Sequence, residues 1–229
     1  MRKNKFVQIG FRILVLGIFL WGVALSLGAQ TPKPNFYVYY TNISNYLCVA
    51  VVLAEIIINI VQVSKKNTVG NKDLHPALKF CVLIGITVTF LVANTLLDHP
   101  FKAEYWTSAG NVLMHMVNPL LFWIDWLVFA EHGNTKWTYP LYSTIFPLIY
   151  VVYIFIRAAI IGGTIDANGF QNGVCVYPYF FLDLANTGVA KVIGWIAILV
   201  VVFVALGYLI YSLDNIKNFK AKHQAKKLK

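Results

Sequence analysis

Six long apolar runs dominate the sequence, at about 9–29, 40–63, 77–97, 108–130, 139–162 and 188–213. At 1.5 Å of rise per residue, each is long enough to cross roughly 30 Å of hydrocarbon as an α-helix. A water-soluble domain of this length cannot hide so much apolar surface: 59% of the residues are apolar, 12% are charged, and mean hydropathy is +0.66. None of the runs shows the ten-residue alternation of an outer-membrane barrel strand. The expected fold is therefore an all-α integral membrane protein, one domain (1–229) built as a six-transmembrane-helix bundle. The first run follows Arg2, Lys3 and Lys5 and ends in "LSLGAQ", so a cleaved signal peptide is the competing reading. Its apolar stretch exceeds the usual length of such a region, and Leu27 is poorly placed ahead of a cut after Ala29, so it reads as a span.

The basic residues give the expected orientation. With the N-terminus inside, the inner side receives Arg2, Lys3, Lys5, Arg12, Lys65, Lys66, Lys72, Lys79, Lys136 and the six lysines between 217 and 229, which is fifteen of the 19 Lys and Arg. The outer side receives only Lys33, Lys102 and Lys191, and Arg157 falls within a span. This asymmetry predicts N- and C-termini in the cytoplasm. The net charge of +10 thus reflects topology and lipid contact rather than nucleic-acid binding. The longest connection, 163–187, lies outside and contains no Lys or Arg. A loop of that length suggests a lid or binding segment, although its "YPYFF" would also suit an aromatic belt at headgroup level.

Polar groups inside apolar runs carry the functional information, because burying them in lipid is costly. Thr41, Asn45, Cys48, Val52, Glu55 and Asn59 share one face of the second run by their i, i+4, i+7 spacing. Asn111, His115, Asn118, Phe122 and Asp125 do the same in the fourth, and Thr87, Leu91, Asn94 and Asp98 in the third. Three polar stripes predict a bundle with a polar interior, either as interhelical hydrogen-bond glue or as a site. His115 is the one histidine inside a run. Thr41 is the hydroxyl at comparable depth, and Asn45, Asn111 and Asn118 are candidates to orient the imidazole or stabilise an oxyanion. Glu55 and Asp125 form an expected acidic pair in the inner half. Arg157 is expected to pair with Asp98 or Asp183.

No metal-ligand spacing, Gly-rich phosphate loop or GxSxG elbow occurs, so no metal or other cofactor is expected. The three cysteines form no disulfide framework. A transporter using Glu55, Asp125, Arg157 and His115 as a relay remains an alternative, although no internal repeat supports it. So does a lipid-binding protein whose stripes are only glue.

The stretches "YYTNISNYL" opening the second run, "NVLMHMVNPLLFWIDWLVF" in the fourth and "YPYFFLD" before the sixth add a further expectation. With the six-span layout, they resemble the androgen-induced and androgen-dependent membrane proteins, hydrolases of fatty-acid esters of hydroxy fatty acids. The resemblance is greatest to the bacterial relatives of that family. It implies hydrolysis of a lipid or fatty-acyl ester within the bilayer by a threonine nucleophile and a histidine on separate helices. By motif these fall on Thr41 and His115. A bacterial cytoplasmic membrane is the implied location.

Overall fold

The computed structural model describes residues 4–28, 35, 37–69, 74–97, 103–216 and 218. Among them, six helices are long and apolar enough to cross a membrane: Lys5–Leu27, Tyr40–Ser64, Pro76–Leu97, Ala109–Phe129, Tyr139–Ile161 and Val189–Asp214. The protein is thus an all-α bundle of six spans. Helix α1 (Lys5–Gly28) packs on α2 (Tyr40–Ser64), which packs on α3 (Pro76–Val92), and α3 continues as a π-helical turn, Ala93–Leu97. A short α4 (Ala103–Thr107) precedes the fourth span, which is built of α5 (Ala109–Val112), a π-helical turn Leu113–Val117 and α6 (Asn118–Phe129). The fifth span joins α7 (Tyr139–Tyr142) to α8 (Ile145–Ile161), and α9 (Val189–Asp214) is the sixth.

Successive spans are joined alternately at two ends of the bundle. Helix α3 is its axis, buried without interruption over residues 82–89. The stripe of α2 is buried throughout: Thr41, Asn45, Cys48, Val52, Glu55 and Asn59 are each at most 8% exposed. Outward faces carry large apolar side chains such as Trp21, Ile57, Leu127, Ile149, Ile160 and Val201. Polar inside and apolar outside is the arrangement lipid demands, since every backbone group is satisfied within a helix and only apolar side chains meet the hydrocarbon. The close seam between α7 and α9 needs Gly207, where a Cβ would lie 2.8 Å from Pro140 Cβ.

Three residues counted in the sequence as inner-side anchors, Lys5, Arg12 and Lys79, are buried rather than at a surface. Arg12 and Lys79 lie inside the bundle, where they meet Glu55 and Asp125 in a closed four-charge cluster. Arg12 Nε is 2.8 Å from Asp125 Oδ1, and its Nη2 is 3.1 Å from Glu55 Oε2. Lys79 Nζ is 2.9 Å from Glu55 Oε1 and 2.6 Å from Asp125 Oδ2. Each carboxylate therefore faces both cations, and the cluster is formally neutral. Beside it, Asn59 Nδ2 donates to Gln8 Oε1 at 3.3 Å, and Lys5 Nζ donates to Asn67 O at 2.8 Å. Helix α1 is thus built into the bundle. Without it, Glu55 and Asp125 would share Lys79 as their remaining cation.

Candidate functional site

The opposite end of the bundle, where α2 begins, holds a cavity of about 550 Å³ whose walls include Thr41, His115, Asn111, Tyr39 and Tyr179. Thr41 and Tyr179 also line a narrow apolar crevice of about 70 Å³, walled by Val92, Leu148, Val151, Leu199 and Phe203. Thr41 thus stands where a polar space meets an apolar one, and it is 8% exposed. Asn111 is exposed at the rim of the cavity, and His115 is half-buried in its wall.

The position of His115 follows from Pro119. Proline has no N–H to continue the helical ladder. Leu113–Val117 accordingly forms a π turn, in which Asn118 N–H reaches back to Leu113 O. The carbonyl of His115, which an N–H at position 119 would serve, and that of Met114, left when Asn118 N–H reaches back to Leu113 O, are taken by asparagines from neighbouring helices. Asn45 Nδ2 on α2 donates to Met114 O at 3.1 Å and to Thr41 O at 2.9 Å. Asn94 Nδ2, on the π turn that ends α3, donates to His115 O at 3.1 Å. Asn118 Nδ2 donates to Asn45 Oδ1 at 2.9 Å, closing the net. The same net therefore fixes the backbone of Thr41 and the backbone of His115. Asn45 and Asn118 were expected near the imidazole or an oxyanion. Their amide nitrogens are instead committed to tying α2 to the fourth span.

The loop 162–188 forms the other wall. A two-residue hairpin pairs β1 (Phe170–Gln171) with β2 (Val174–Cys175). Gly169 sits at φ 80°, where a Cβ would lie 2.4 Å from Tyr177 O, so the loop can close only with glycine there. Arg157 pins this loop: its Nη1 donates to the carbonyls of Cys175 and Val176. The expected pairing of Arg157 with Asp183 is not formed. Asp183 Oδ1 instead accepts from the N–H groups of Ala185 and Asn186 at 2.9 and 3.0 Å, capping its own turn. Asp98, the other expected partner, lies outside the described residues. Tyr179 and Phe181 pack into the bundle at 8% and 5% exposure instead of lying in a surface belt. Burial raises the Cys175 thiol above its ordinary range, partly offset by a hydrogen bond from Tyr39 and by the Arg157 charge, so it is a poor nucleophile.

Glu55 and Asp125, expected as an acidic pair, belong to the neutral cluster with Arg12 and Lys79. Glu55 lies fourteen residues along α2 from Thr41, about 21 Å of helix. The charge cluster and the cavity are separate places in the molecule. Arg12 and Lys79 were missed as members of that cluster, although each lies inside an apolar run, which is the signal that marks a buried charge. Among the described residues, no group of three or more His, Cys, Asp or Glu is arranged to hold a metal ion. What the cavity offers is a hydroxyl on one wall and an imidazole on another, the latter being the side chain suited to proton transfer near neutral pH. Compared with family models, curated proteins and solved structures, the chain matches none.

Proposed function

We propose that this protein is an intramembrane hydrolase of lipid esters, with Thr41 as nucleophile and His115 as general base. One observation carries the reading: Thr41 and His115, on different spans, line one cavity, and Thr41 stands where that cavity meets an apolar crevice. Thr41 Oγ attacks the ester carbonyl carbon as its proton passes to His115. The tetrahedral intermediate collapses, the C–O bond to the alcohol breaks, and His115 returns the proton to the departing alkoxide. Water, deprotonated by His115, then releases the acid from the acyl-threonine. The crevice suits an acyl chain and the cavity the polar groups around the ester. The resemblance to the androgen-induced hydrolases supports the same pair of residues and a fatty-acyl substrate drawn from the bilayer.

The basic-residue asymmetry supports cytoplasmic termini, with the cavity at the outer face, and the resemblance to the bacterial relatives supports a bacterial cytoplasmic membrane as location. Counting Lys5, Arg12 and Lys79 as buried leaves the bias in place. A transport relay through Glu55, Asp125, Arg157 and His115 has less support. Asp125 lies about 15 Å along the helix from His115, its charge is balanced by Arg12 and Lys79, and Arg157 is engaged by loop carbonyls.

Turnover of medium-chain fatty-acyl esters by the purified protein tests the proposal. Thr41→Ala abolishes it, Thr41→Ser retains part of it, and His115→Ala lowers it by about 10²- to 10⁴-fold, the usual worth of general-base help. Full turnover by folded Thr41→Ala overturns it.

A further inference from the structure

Thr41 follows Tyr40 in the chain, and the ring of Tyr40 builds the deep end of the apolar crevice. That ring meets Phe146, Tyr150 and Phe203 with centroids 5.5, 5.2 and 6.4 Å apart. Tyr150 Oη donates to Val38 O at 2.9 Å, which ties α8 to the segment just before α2. On the far side, a Cβ at Gly85 of α3 would lie 3.1 Å from Tyr40 Oη, so the ring has no room to retreat. The hydroxyl of Thr41 and the floor of the crevice thus belong to neighbouring residues, and the distance between them is fixed.

The depth of the crevice follows from helix geometry. Ser44, one turn along α2 from Thr41, shares a 2.8 Å hydrogen bond with Thr89. Helices α2 and α3 run in opposite directions, so Thr41 lies about one turn above Thr89, level with Val92. From that level the α3 wall descends about 6 Å to Val88 and about 10 Å to Gly85, where the floor lies. An extended chain of about five to eight methylenes spans this depth. The volume agrees: about 70 Å³ admits the centres of about five to seven water-sized groups, and a methylene is about that size. The walls select what lies there. The hydroxyls of Thr89, Thr144 and Tyr150 are turned to the carbonyls of Gly85, Leu141 and Val38, which leaves mostly apolar surface facing the crevice. An alkyl chain gains by burial against such walls.

We infer that this crevice is the acyl-chain site of the proposed hydrolase, and that its aromatic floor, Tyr40 with Phe203, sets the favoured chain at about six to eight carbons. The inference rests on the hydrolase reading of Thr41 and His115 and narrows its substrate to medium-chain acyl esters. The ester carbonyl stands at Thr41 and the chain runs down between α3, α8 and α9. Methylenes beyond about the eighth have no wall left to meet.

Alkyl fluorophosphonates from ethyl to hexadecyl carry their chain where the acyl group would lie. Their rates of covalent labelling of the full-length protein, in one detergent, give a profile of rate against chain length. The rate rises by up to about fourfold per methylene until hexyl to octyl, and gains less than about twofold beyond. The readout is the length at which the rise ends within each protein's own series. A general loss of reactivity does not move it, and partitioning of the probes into micelles is the same for every variant. Phe203→Ala opens the floor and moves the end of the rise about three carbons longer. Leu199→Phe, one turn above Phe203 on the same wall, moves it about three carbons shorter. A rise that continues to hexadecyl in the wild type, or an end that stays in place in either folded variant, overturns the inference. If one variant does not fold, the wild-type profile and the other variant decide. Absent labelling of the native protein, or labelling that survives Thr41→Ala, overturns the hydrolase reading and this inference with it. Thr41-dependent labelling whose profile ignores Phe203 and Leu199 overturns this inference alone.

Discussion

At the scale of single residues, the most expensive groups in the molecule are the four charges of Arg12, Glu55, Lys79 and Asp125, whose side chains are at most 4% exposed. Buried ion pairs add little net stability, because desolvation offsets the attraction, but stripping one partner leaves an uncompensated charge. Lys79→Met is therefore expected to cost about 3–5 kcal/mol. The double variant Lys79→Met with Asp125→Leu removes one charge of each sign and leaves Arg12 facing Glu55, so it should be more stable than Lys79→Met alone. Thermal unfolding in detergent, followed for the wild type, both single variants and the double variant, measures the coupling. Additive losses would mean that the four charges do not act as one unit. The identity of this unit was only half legible in the sequence. Glu55 and Asp125 stood out as acidic groups in apolar runs, but Arg12 and Lys79 read as anchors because each lies near the start of its run. Which cation meets which carboxylate depends on the order of helices around α3, and no periodicity encodes that order.

At the scale of elements, the second span was readable to the residue because an uninterrupted α-helix keeps its 3.6 period. Every member of the stripe from Thr41 to Asn59 is buried. The fourth span was less so, since the π turn over Leu113–Val117 inserts a register shift between Asn111 and Asn118. The local cue was Asn118–Pro119 inside an apolar run. Its consequence depends on Asn45 and Asn94 arriving from other helices to serve the carbonyls of Met114 and His115. Tyr179 was hidden for a similar reason: a loop with no period of its own gives no sign of which side chain it turns inward. Pro119→Ala separates local stability from function in this span. It restores an N–H and removes a residue that disfavours helix interiors. Thermal stability should hold or rise, while ester turnover falls at least tenfold as the π turn relaxes and His115 rotates by roughly one residue, about 100°. Unchanged turnover with unchanged stability would mean that the π turn does not set the position of His115.

At the scale of the whole molecule, the six-span layout was legible almost completely, because length and apolarity alone decide what can cross a bilayer. The proposed orientation has the connection 162–188 outside and the turn before α7 inside. Cys48 and Cys175 are buried and Cys81 is half-buried, so the native thiols give a low background to a membrane-impermeant maleimide. Asn168→Cys and Lys136→Cys introduce exposed thiols at opposite ends of the bundle. Intact cells should label Asn168→Cys and spare Lys136→Cys until they are permeabilised, and the reverse pattern would invert the assigned orientation. The proposed ester hydrolysis is tested most directly by mapping, with peptide mass spectrometry, the residue that an alkyl fluorophosphonate modifies in the membrane-embedded protein. A single adduct on Thr41 is expected, lost in Thr41→Ala and formed far more slowly in His115→Ala. An adduct on another hydroxyl, such as Ser26, Ser44 or Ser108, or no adduct on the folded protein, would contradict it.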